Sequence, residues 1–337
     1  MDKKYLEEYV GKMGKLLEKR GEIEKIIDSA MALGKKNLFL VGIGGTIAVM
    51  RPFEQFFKKM SDAQVYAENA AMLITTGNRH LGKDSVCFFM SDSGNTKEII
   101  EAIHYCKERG AVTIASLGAE NSPIEKLVDY SVVNLNKDSY SSDADYYMNY
   151  MFFSYYLYKR GEFPQYEKFI ANLNRLPAAL AQVKEQADEQ GKDYAPKYLD
   201  DNYHIFTAGG DIWGEVYCYA MCVLEEMQWI RTKSVHAADF FHGTLELVDD
   251  NTHVVLVKGE DESRPLADRI EAFCKKYTKK FTVYDTKDYA LEGIDKDIRG
   301  MFAPIVVTCA LGRISPHLQE VTGHDLSYRR YYKKVEY

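Results

Sequence analysis

The feature that most constrains the fold is a repeated unit in which an apolar strand pattern is followed by a turn of small residues and then by a helix pattern. It first occurs over residues 37–60, where the strand Leu38–Val41 leads into the turn GIGGT. It recurs over 85–109, where the strand Ser85–Met90 leads into SDSGNT. Two more strands are predicted at 111–117 and 130–135, and a helix is predicted between them, from about Ser122. Such alternation predicts a mostly parallel sheet covered by helices.

The same order of elements starts again in the second half of the chain. The stretch YHIFTAGG, from Tyr203, resembles NLFLVGIGG, from Asn37, and a helix pattern follows over Trp213–Ile230. Two strands are predicted at 252–258 and 280–284, and a helix is predicted between them, at about 263–276. This indicates an internal duplication. We therefore expect an α/β protein with two mostly parallel sheets, each flanked by helices.

Helical segments, and no low-complexity linker, separate the two predicted domains. Apolar residues three or four apart predict an amphipathic helix before Gly34. Helix patterns over 144–158 and 165–187 lead out of the first half and end near Gly191. We predict an N-terminal helix at 1–34, a first domain at 35–190 and a second domain at 191–337.

Composition excludes several classes of protein. An apolar fraction of 46% and a charged fraction of 28% exclude a disordered or collagen-like chain. Cys218 and Cys222 have a helical spacing, so we interpret the six cysteines as reduced packing residues and expect no metal site. The net charge of −7 argues against nucleic acid as a partner. The tyrosine-rich stretch 139–150 is interpreted as an interface or pocket wall.

The N-terminal residues mix both charge signs and lack the apolar core of a secretion signal. The longest uncharged, apolar-leaning run, Leu38–Met50, is too short to span a bilayer and is interrupted by glycines. We therefore expect a cytoplasmic protein with no membrane partner.

The turn SDSGNTKE, residues 91–98, is the strongest candidate for a ligand site. Ser91, Ser93 and Thr96 supply three hydroxyls, Gly94 allows a tight turn, and free amides begin the next helix. Such a turn fits a phosphate monoester, and a serine-rich helix cap without a ligand is the alternative. The GIGGT turn lacks the third glycine of the dinucleotide fingerprint, so a nicotinamide cofactor is not expected.

These motifs are similar to those of the sugar isomerase (SIS) family. SDSGNTKE resembles its SxSGxT phosphosugar loop, and the duplicated halves resemble a double-SIS protein. The segment EEMQWIRTKSVHAADFFHGTLELVDD resembles one shared by the isomerase domain of glucosamine-6-phosphate synthase and the Amadori-product deglycases. In both, a catalytic glutamate stands sixteen positions before the histidine of a His-Gly pair, as Glu226 and His242 do here. The stretches GEDESR, at 259–264, and RRYYKKVEY, at 329–337, resemble the deglycase branch.

The resemblance implies two doubly wound SIS-type domains and a bound 6-phosphorylated sugar. It makes Glu226 the group that moves a proton between C1 and C2 of the sugar and His242 the assisting group, and it requires no cofactor. Glu225 and His236 are rivals for these two roles. The candidate substrate-binding residues are Gly44, Gly45, Thr46, Ser91, Asp92, Ser93, Gly94, Asn95, Thr96, His324, Arg330 and Lys334.

We therefore expect a hydrolytic deglycase that converts a 6-phosphorylated amino-acid Amadori product, such as fructoselysine 6-phosphate, to hexose 6-phosphate and a free amino acid. The resemblance implies a homodimer or dimer of dimers in which the histidine segment enters the neighbour's site. Arg329, Arg330 and His324 could contact the amino-acid carboxylate or the phosphate.

Three other functions use the same fold. A phosphosugar isomerase or an aminosugar-phosphate deaminase would use the same glutamate. A phosphosugar-sensing regulator is the non-enzymatic alternative, against which stands the lack of a helix-turn-helix pattern. The chain starts directly at the SIS part, so a glutamine-dependent synthase is not expected.

Overall fold

The structure, a computed structural model, describes residues 1–134, 141–199, 201, 203–332 and 334–336. The chain divides into a first unit, Asp2–Pro177, and a second unit, Ala178–Tyr337 together with Met1. The division falls inside one continuous helix that also contains the predicted boundary at 190/191. Each unit contains one parallel sheet with helices around it, which confirms the predicted α/β class.

The first unit contains strands β1 (Asn37–Gly42), β2 (Gln64–Asn69), β3 (Ser85–Ser91), β4 (Val112–Leu117) and β5 (Tyr130–Val133). Its helices are α1 (Lys3–Lys15), α2 (Arg20–Ala32), α3 (Gly45–Met60), α4 (Ala70–Thr76), α5 (Lys97–Glu108), α6 (Ser141–Lys159) and the first part of α7 (Tyr166–Tyr198). The strands are all parallel and lie in the order β2-β1-β3-β4-β5.

The central strands β1 and β3 are buried along their whole length. Helices cover both faces of such a sheet, which is why these strands are nearly continuous apolar runs in the sequence. One core cluster joins Phe39 and Phe89 to Ile103 of α5. Aromatic side chains of α6, among them Tyr146 and Tyr150, are fully buried beside Phe53 of α3.

Two expectations for the first unit are wrong. The described part of the tyrosine-rich stretch belongs to the core of the unit and is not an interface or pocket wall; residues 139 and 140 lie outside the described residues. The helix expected from Ser122 is replaced by short turns at 123–127. There the N–H of Ile124 donates to the carbonyl of Gly94, so this segment closes over the 91–96 loop and does not form a helix. The N-terminal helix pattern is divided into α1 and α2 by a 3₁₀ turn at Leu16–Lys19.

The second unit contains strands β6 (His204–Ala208), β7 (Thr232–His236), β8 (His253–Lys258) and β9 (Phe281–Asp285). Its helices after α7 are α8 (Trp213–Cys218), α9 (Arg264–Tyr277), α10 (Ala303–Leu311) and α11 (Ile314–Thr322). The strands are parallel in the order β7-β6-β8-β9, which repeats the order β2-β1-β3-β4 of the first unit. The sequence analysis missed β7, a half-buried polar edge strand, together with α10 and α11.

Helix α7 continues past its predicted end near Gly191. A side chain at this position would start 2.7 Å from the carbonyl oxygen of Arg313, so the glycine allows a close approach and does not end the helix. Arg313 also binds Asp188 of α7, with its Nε 2.8 Å from Oδ1. The end of α7 is therefore held within the second unit.

Within the described part of the chain, residues Arg299–Thr322 form the one helical stretch that is long and apolar enough to cross a membrane. Most of α10 within this stretch is buried and packs on α8. Burial in the second unit therefore accounts for its apolar composition.

Two neighbouring histidines begin β6 and β8 in the second unit. His204 and His253 are opposite each other in the sheet, with their Nδ1 atoms 2.8 Å apart. Tyr194 lies 2.9 Å from Nδ1 of His204, and Asp201, Lys280 and Lys197 are the charged groups around the pair. Burial lowers the pKa of His204 to about 4 and that of His253 to about 2.

This pair predicts that the protein loses stability in mild acid. The unfolded chain takes up protons near pH 6.5, whereas the folded pair does not, so stability falls as the pH drops below 6.5. For His204 alone the loss reaches about 3 kcal/mol at pH 4. Urea unfolding at several pH values between 7.5 and 4.5 measures the slope of the unfolding free energy against pH. His204→Gln should flatten it, whereas the control His104→Gln, at an exposed position on α5, should not; equal slopes for all three proteins would contradict the prediction.

Candidate functional site

Two loops of the first unit leave the carboxyl ends of adjacent strands. The loop 42–46 follows β1 and the loop 91–96 follows β3, and these strands pair directly. In the order β2-β1-β3-β4-β5, the direction in which strands are added reverses between β1 and β3. Open α/β sheets bind ligands in the crevice at this reversal. The topology therefore places both predicted loops at one crevice.

Within the 91–96 loop, some residues build the turn. Ser91 is buried; its Oγ accepts a hydrogen bond from the N–H of Gly94 at 3.1 Å and lies 3.2 Å from Oγ1 of Thr96. Gly94 has a φ of 63°, and a Cβ there would lie 2.3 Å from Cβ of Ser122. Only glycine fits such a position. Ser91 and Gly94 therefore shape the loop.

Other residues of the loop are left open. Ser93 is half-buried and Asn95 is exposed, and neither side chain has a hydrogen-bond partner among the described residues. They precede the first turn of α5, which begins after its N-cap Thr96. A ligand in this loop would therefore meet the Ser93 hydroxyl, the Asn95 amide and free backbone N–H groups, which suit an anion.

The carboxyl group of Asp92 is held by the neighbouring helix. It is hydrogen-bonded to Asp145 of α6, a fully buried residue that also lies 3.4 Å from the amide nitrogen of Asn134. Burial and the adjacent Asp92 charge raise the pKa of Asp145 well above its usual range. Asp145 therefore favours its protonated form, and the pair carries less negative charge beside the loop than two carboxylates would.

In the first loop, Thr46 has a local role. Its hydroxyl accepts from the N–H of Ile43 and lies 3.0 Å from the carbonyl oxygen of the same residue. Gly44 precedes the first residue of α3, Gly45. The hydroxyl therefore closes the loop, and the backbone of Gly44 and Gly45 is what this loop offers a ligand.

In the second unit, the segment that carries Glu226 is not a regular α-helix. α8 ends at Cys218, and a π-helix follows over Tyr219–Glu225. The N–H of Glu226 donates to the carbonyl of Met221, five residues earlier. Wide turns of this kind are frequent at functional sites. They change the direction of the side chains that follow, so helical periodicity does not predict where Glu226 lies.

Glu226 contacts the C-terminal segment at a cavity of about 610 Å³. Its Oε1 accepts a hydrogen bond from Nε of Arg329 at 2.9 Å. Arg329 also donates to the carbonyls of Leu326 and Tyr328. The rival Glu225 accepts a hydrogen bond from Thr232. The cavity is lined by Glu225, Glu226, Trp229, Ile230, Arg231, Thr232, Arg329, Arg330, Tyr331 and Tyr332.

Two of the other predicted C-terminal residues, Arg330 and His324, lie against Trp229. The guanidinium of Arg330 lies 4.3 Å from the centre of the Trp229 ring, and the His324 ring is 4.4 Å from it in an edge contact. Lys334 is exposed and does not line the cavity. Lys333 lies outside the described residues. The structure thus brings Arg330 to the wall that carries Glu226, whereas His324 contacts Trp229 without lining the cavity.

Neither histidine candidate lines the Glu226 cavity. His242 ends the 3₁₀ turn Phe240–His242 and is exposed. His236 ends β7, with its Nδ1 accepting the N–H of Ala238 at 3.1 Å and its ring against Trp213. Burial lowers the pKa of His236, which favours the neutral ring. Among the described residues no group of three or more His, Cys, Asp or Glu side chains is arranged to hold a metal ion.

The Arg329–Glu226 contact is the main feature that the sequence analysis missed. Arg329 was considered there only as a contact for the substrate. More than a hundred positions separate it from Glu226, and no local pattern links the two residues. Only the position of the C-terminal segment in the second unit brings them together.

Comparison with known proteins gives consistent results. A family model described as the SIS domain matches residues 33–149. A fructosamine deglycase of Bacillus subtilis is 30% identical over 320 residues, which cover 94% of this chain and 97% of that protein. A fructoselysine 6-phosphate deglycase of Escherichia coli K12 is 22% identical, covering 92% and 89%. The crystal structure of a candidate phosphosugar isomerase of Bacillus subtilis superposes with a TM-score of 0.88 at 31% identity, covering 94% and 97%.

Proposed function

Because this chain belongs to the SIS-domain family of phosphosugar proteins, we propose that it is a hydrolytic deglycase of a 6-phosphorylated amino-acid Amadori product such as fructoselysine 6-phosphate. The products are hexose 6-phosphate and a free amino acid. The observation that carries the proposal is the Glu226 carboxylate on the wall of a cavity of about 610 Å³. The names of the related fructosamine and fructoselysine 6-phosphate deglycases support the substrate class.

The proposed reaction is a proton transfer followed by hydrolysis. The substrate carries the amine on C1 and a carbonyl at C2. Glu226 removes a proton from C1 while the protonated amine of the substrate gives a proton to the C2 oxygen, which yields an enaminol. Glu226 then returns its proton to C2, which gives a protonated imine at C1. Water adds to C1 and the C1–N bond breaks, releasing the amino acid and leaving an aldehyde on the sugar. No electrons are gained or lost overall.

The phosphate of the substrate is assigned to the 91–96 loop. The Ser93 hydroxyl and the Asn95 amide remain open there, whereas Ser91 is used to shape the turn. Backbone N–H groups at the start of α5 add the positive end of a helix dipole. An anion can thus be bound without a cluster of basic side chains, in keeping with the net charge of −7.

His242 is proposed to assist in the active site of a second copy of the chain. It is exposed on its turn and does not line the cavity of its own Glu226. A homodimer or dimer of dimers would bring it to a neighbour, where an imidazole can open the sugar ring or protonate the leaving amine.

We assign the amino-acid end of the substrate to the cavity beside Glu226. Of the three guanidinium groups that line it, Arg329 binds Glu226, whereas Arg231 and Arg330 pair with no carboxylate among the described residues. Arg330 is held against Trp229, which reduces the entropy that it loses when it binds an anion. Arg330 is therefore the proposed partner of the amino-acid carboxylate.

Replacing Arg330 should separate two matched substrates. Arg330→Gln is expected to raise KM roughly 10-fold for fructoselysine 6-phosphate, because a charged hydrogen bond is lost. It should leave KM unchanged for the analogue made with cadaverine, which is lysine without its carboxylate. Steady-state kinetics on both substrates, with Arg231→Gln as the comparison variant, measures the difference. Equal effects on the two substrates would count against this role.

The second candidate function is a phosphosugar isomerase, favoured by the similarity to the Bacillus subtilis structure described above. One assay separates the two. Purified protein is given fructoselysine 6-phosphate in one reaction and fructose 6-phosphate in another. The deglycase releases lysine and glucose 6-phosphate in equal amounts. Interconversion of hexose phosphates with no lysine release would reject the deglycase and support the isomerase.

A further inference from the structure

The two sheets have equivalent loops because they share one strand order. β6 takes the place of β1 and β8 takes the place of β3. The loop 259–263, between β8 and α9, is therefore the counterpart of the 91–96 loop, between β3 and α5. The turn at 209–211, after β6, is the counterpart of the GIGGT turn. The second unit thus has its own crevice at the point where its strand order reverses.

The counterpart loop has the opposite chemistry. Where the first unit has the hydroxyls of SDSGNT, the second has GEDES, with three consecutive acidic residues, Glu260, Asp261 and Glu262. Glu260 accepts a hydrogen bond from Nε of Arg299, with Oε2 at 2.9 Å. The Asp261 carboxylate instead lies between the loop and the turn after β6.

Both oxygens of Asp261 accept backbone hydrogen bonds. Oδ2 is 2.8 Å from the amide nitrogen of Asp211, and Oδ1 is 2.6 Å from that of Ser263. Gly210 has a φ of 61°, and a Cβ there would lie 2.5 Å from each carboxylate oxygen. The carboxylate therefore fits because position 210 is a glycine. Two amides that could bind an anion are already used.

We propose that the Asp261 carboxylate is a built-in anion that fills, in the second unit, the place taken by the substrate phosphate in the first. Each chain then binds one phosphosugar, through the first unit. The statement about the first unit rests on the proposed function, whereas the statement about Asp261 does not. A phosphate at the second crevice would have to displace Asp261 and approach Glu260 and Glu262, and like charges at this distance repel.

The test measures whether an external anion replaces the carboxylate. Asp261→Ala is made in a Ser93→Ala background, which removes the proposed phosphate contact of the first unit. The matched control is Asp288→Ala, at an exposed position of the same unit. Melting temperatures are recorded in chloride, formate and inorganic phosphate. We expect Asp261→Ala to lower the melting temperature by about 5 °C or more in chloride, because two amides lose their acceptor. Formate, which matches the removed carboxylate in size and charge, should restore much of this loss in that variant alone. Inorganic phosphate should restore less of it, because phosphate brings more negative charge toward Glu260 and Glu262.

Three results would overturn the proposal. They are the same anion response in the Asp261 and Asp288 variants, no loss of stability on replacing Asp261, and two molecules of glucose 6-phosphate bound per wild-type chain in calorimetric titration. If Asp261→Ala fails to fold in every buffer, Asp261→Asn, which keeps one acceptor oxygen, takes its place. A melting temperature that formate raises more in Asp261→Asn than in Asp288→Ala supports the proposal, and an equal rise in both overturns it. A Ser93→Ala protein that still binds glucose 6-phosphate as wild type does would reject the first-unit site and leave the Asp261 comparison valid.

Discussion

Glu226→Gln is expected to lower turnover by roughly 10²–10⁴-fold while binding of hexose 6-phosphate is unchanged. The amide oxygen of glutamine can still accept the hydrogen bond that Arg329 donates to Oε1 at 2.9 Å, so the wall of the cavity should keep its shape. An amide cannot take up the proton from C1. The variant therefore removes the chemistry and retains the contact.

The measurement is amino-acid release under saturating substrate, together with calorimetric titration of glucose 6-phosphate. Glu225→Gln is the matched control, because Glu225 is the neighbouring carboxylate on the same cavity wall. A large loss of turnover in Glu225→Gln with little loss in Glu226→Gln would assign the proton transfer to Glu225. Equal losses of turnover and binding in Glu226→Gln would indicate a structural role only.

Ser93→Ala is expected to raise KM for the phosphorylated substrate by roughly 10–100-fold, the value of one hydrogen bond to a charged group. The melting temperature should not change, because the Ser93 hydroxyl has no hydrogen-bond partner among the described residues. The effect on kcat should be small, since the phosphate is the same before and after the reaction. KM, kcat and thermal melting of the purified variant measure the three quantities.

Ser91→Ala serves as the control for Ser93→Ala. Its hydroxyl is buried and accepts the N–H of Gly94, so its removal should lower the melting temperature by a few degrees and weaken binding only through the shape of the loop. We thus expect Ser93→Ala to change mainly KM and Ser91→Ala to change mainly the melting temperature. An unchanged KM in Ser93→Ala would reject phosphate binding at this loop.

Local sequence predicted those elements whose burial is uniform. β1 and β3 are covered on both faces, so every residue except Asn37, which begins β1, is apolar or small, and the strands are visible in the sequence. β7 is a half-buried edge strand with the sequence TKSVH, and it has no such signal. The helix pattern over 213–230 was recognised, but the structure ends this helical segment at Glu225 and divides it into α8 and a π-helix. Wide i→i+5 turns have no distinct hydrophobic signature in so short a segment, so the pattern could not show them.

The candidate site divides in the same way. The residues of the 91–96 loop are consecutive in the chain. Its hydroxyl side chains and Gly94 therefore form a motif that can be recognised from the sequence. The partners of Glu226 and Asp261 could not. Arg329, the Asp211 amide and Gly210 are far from them in sequence and are brought close by the order of strands and by the C-terminal segment.

The sequence by itself therefore determined the α/β class, the duplication and the candidate residues for phosphate binding and proton transfer, because these depend on periodicity and on chemistry within a few residues. Tertiary structure alone decided which of those groups are free. It engages the Ser91 hydroxyl and leaves that of Ser93 open, it pairs Glu226 with a guanidinium, and it turns Asp261 onto two backbone amides. Hydrogen bonds between distant segments have no periodic signature, since chain folding and not local spacing sets their partners.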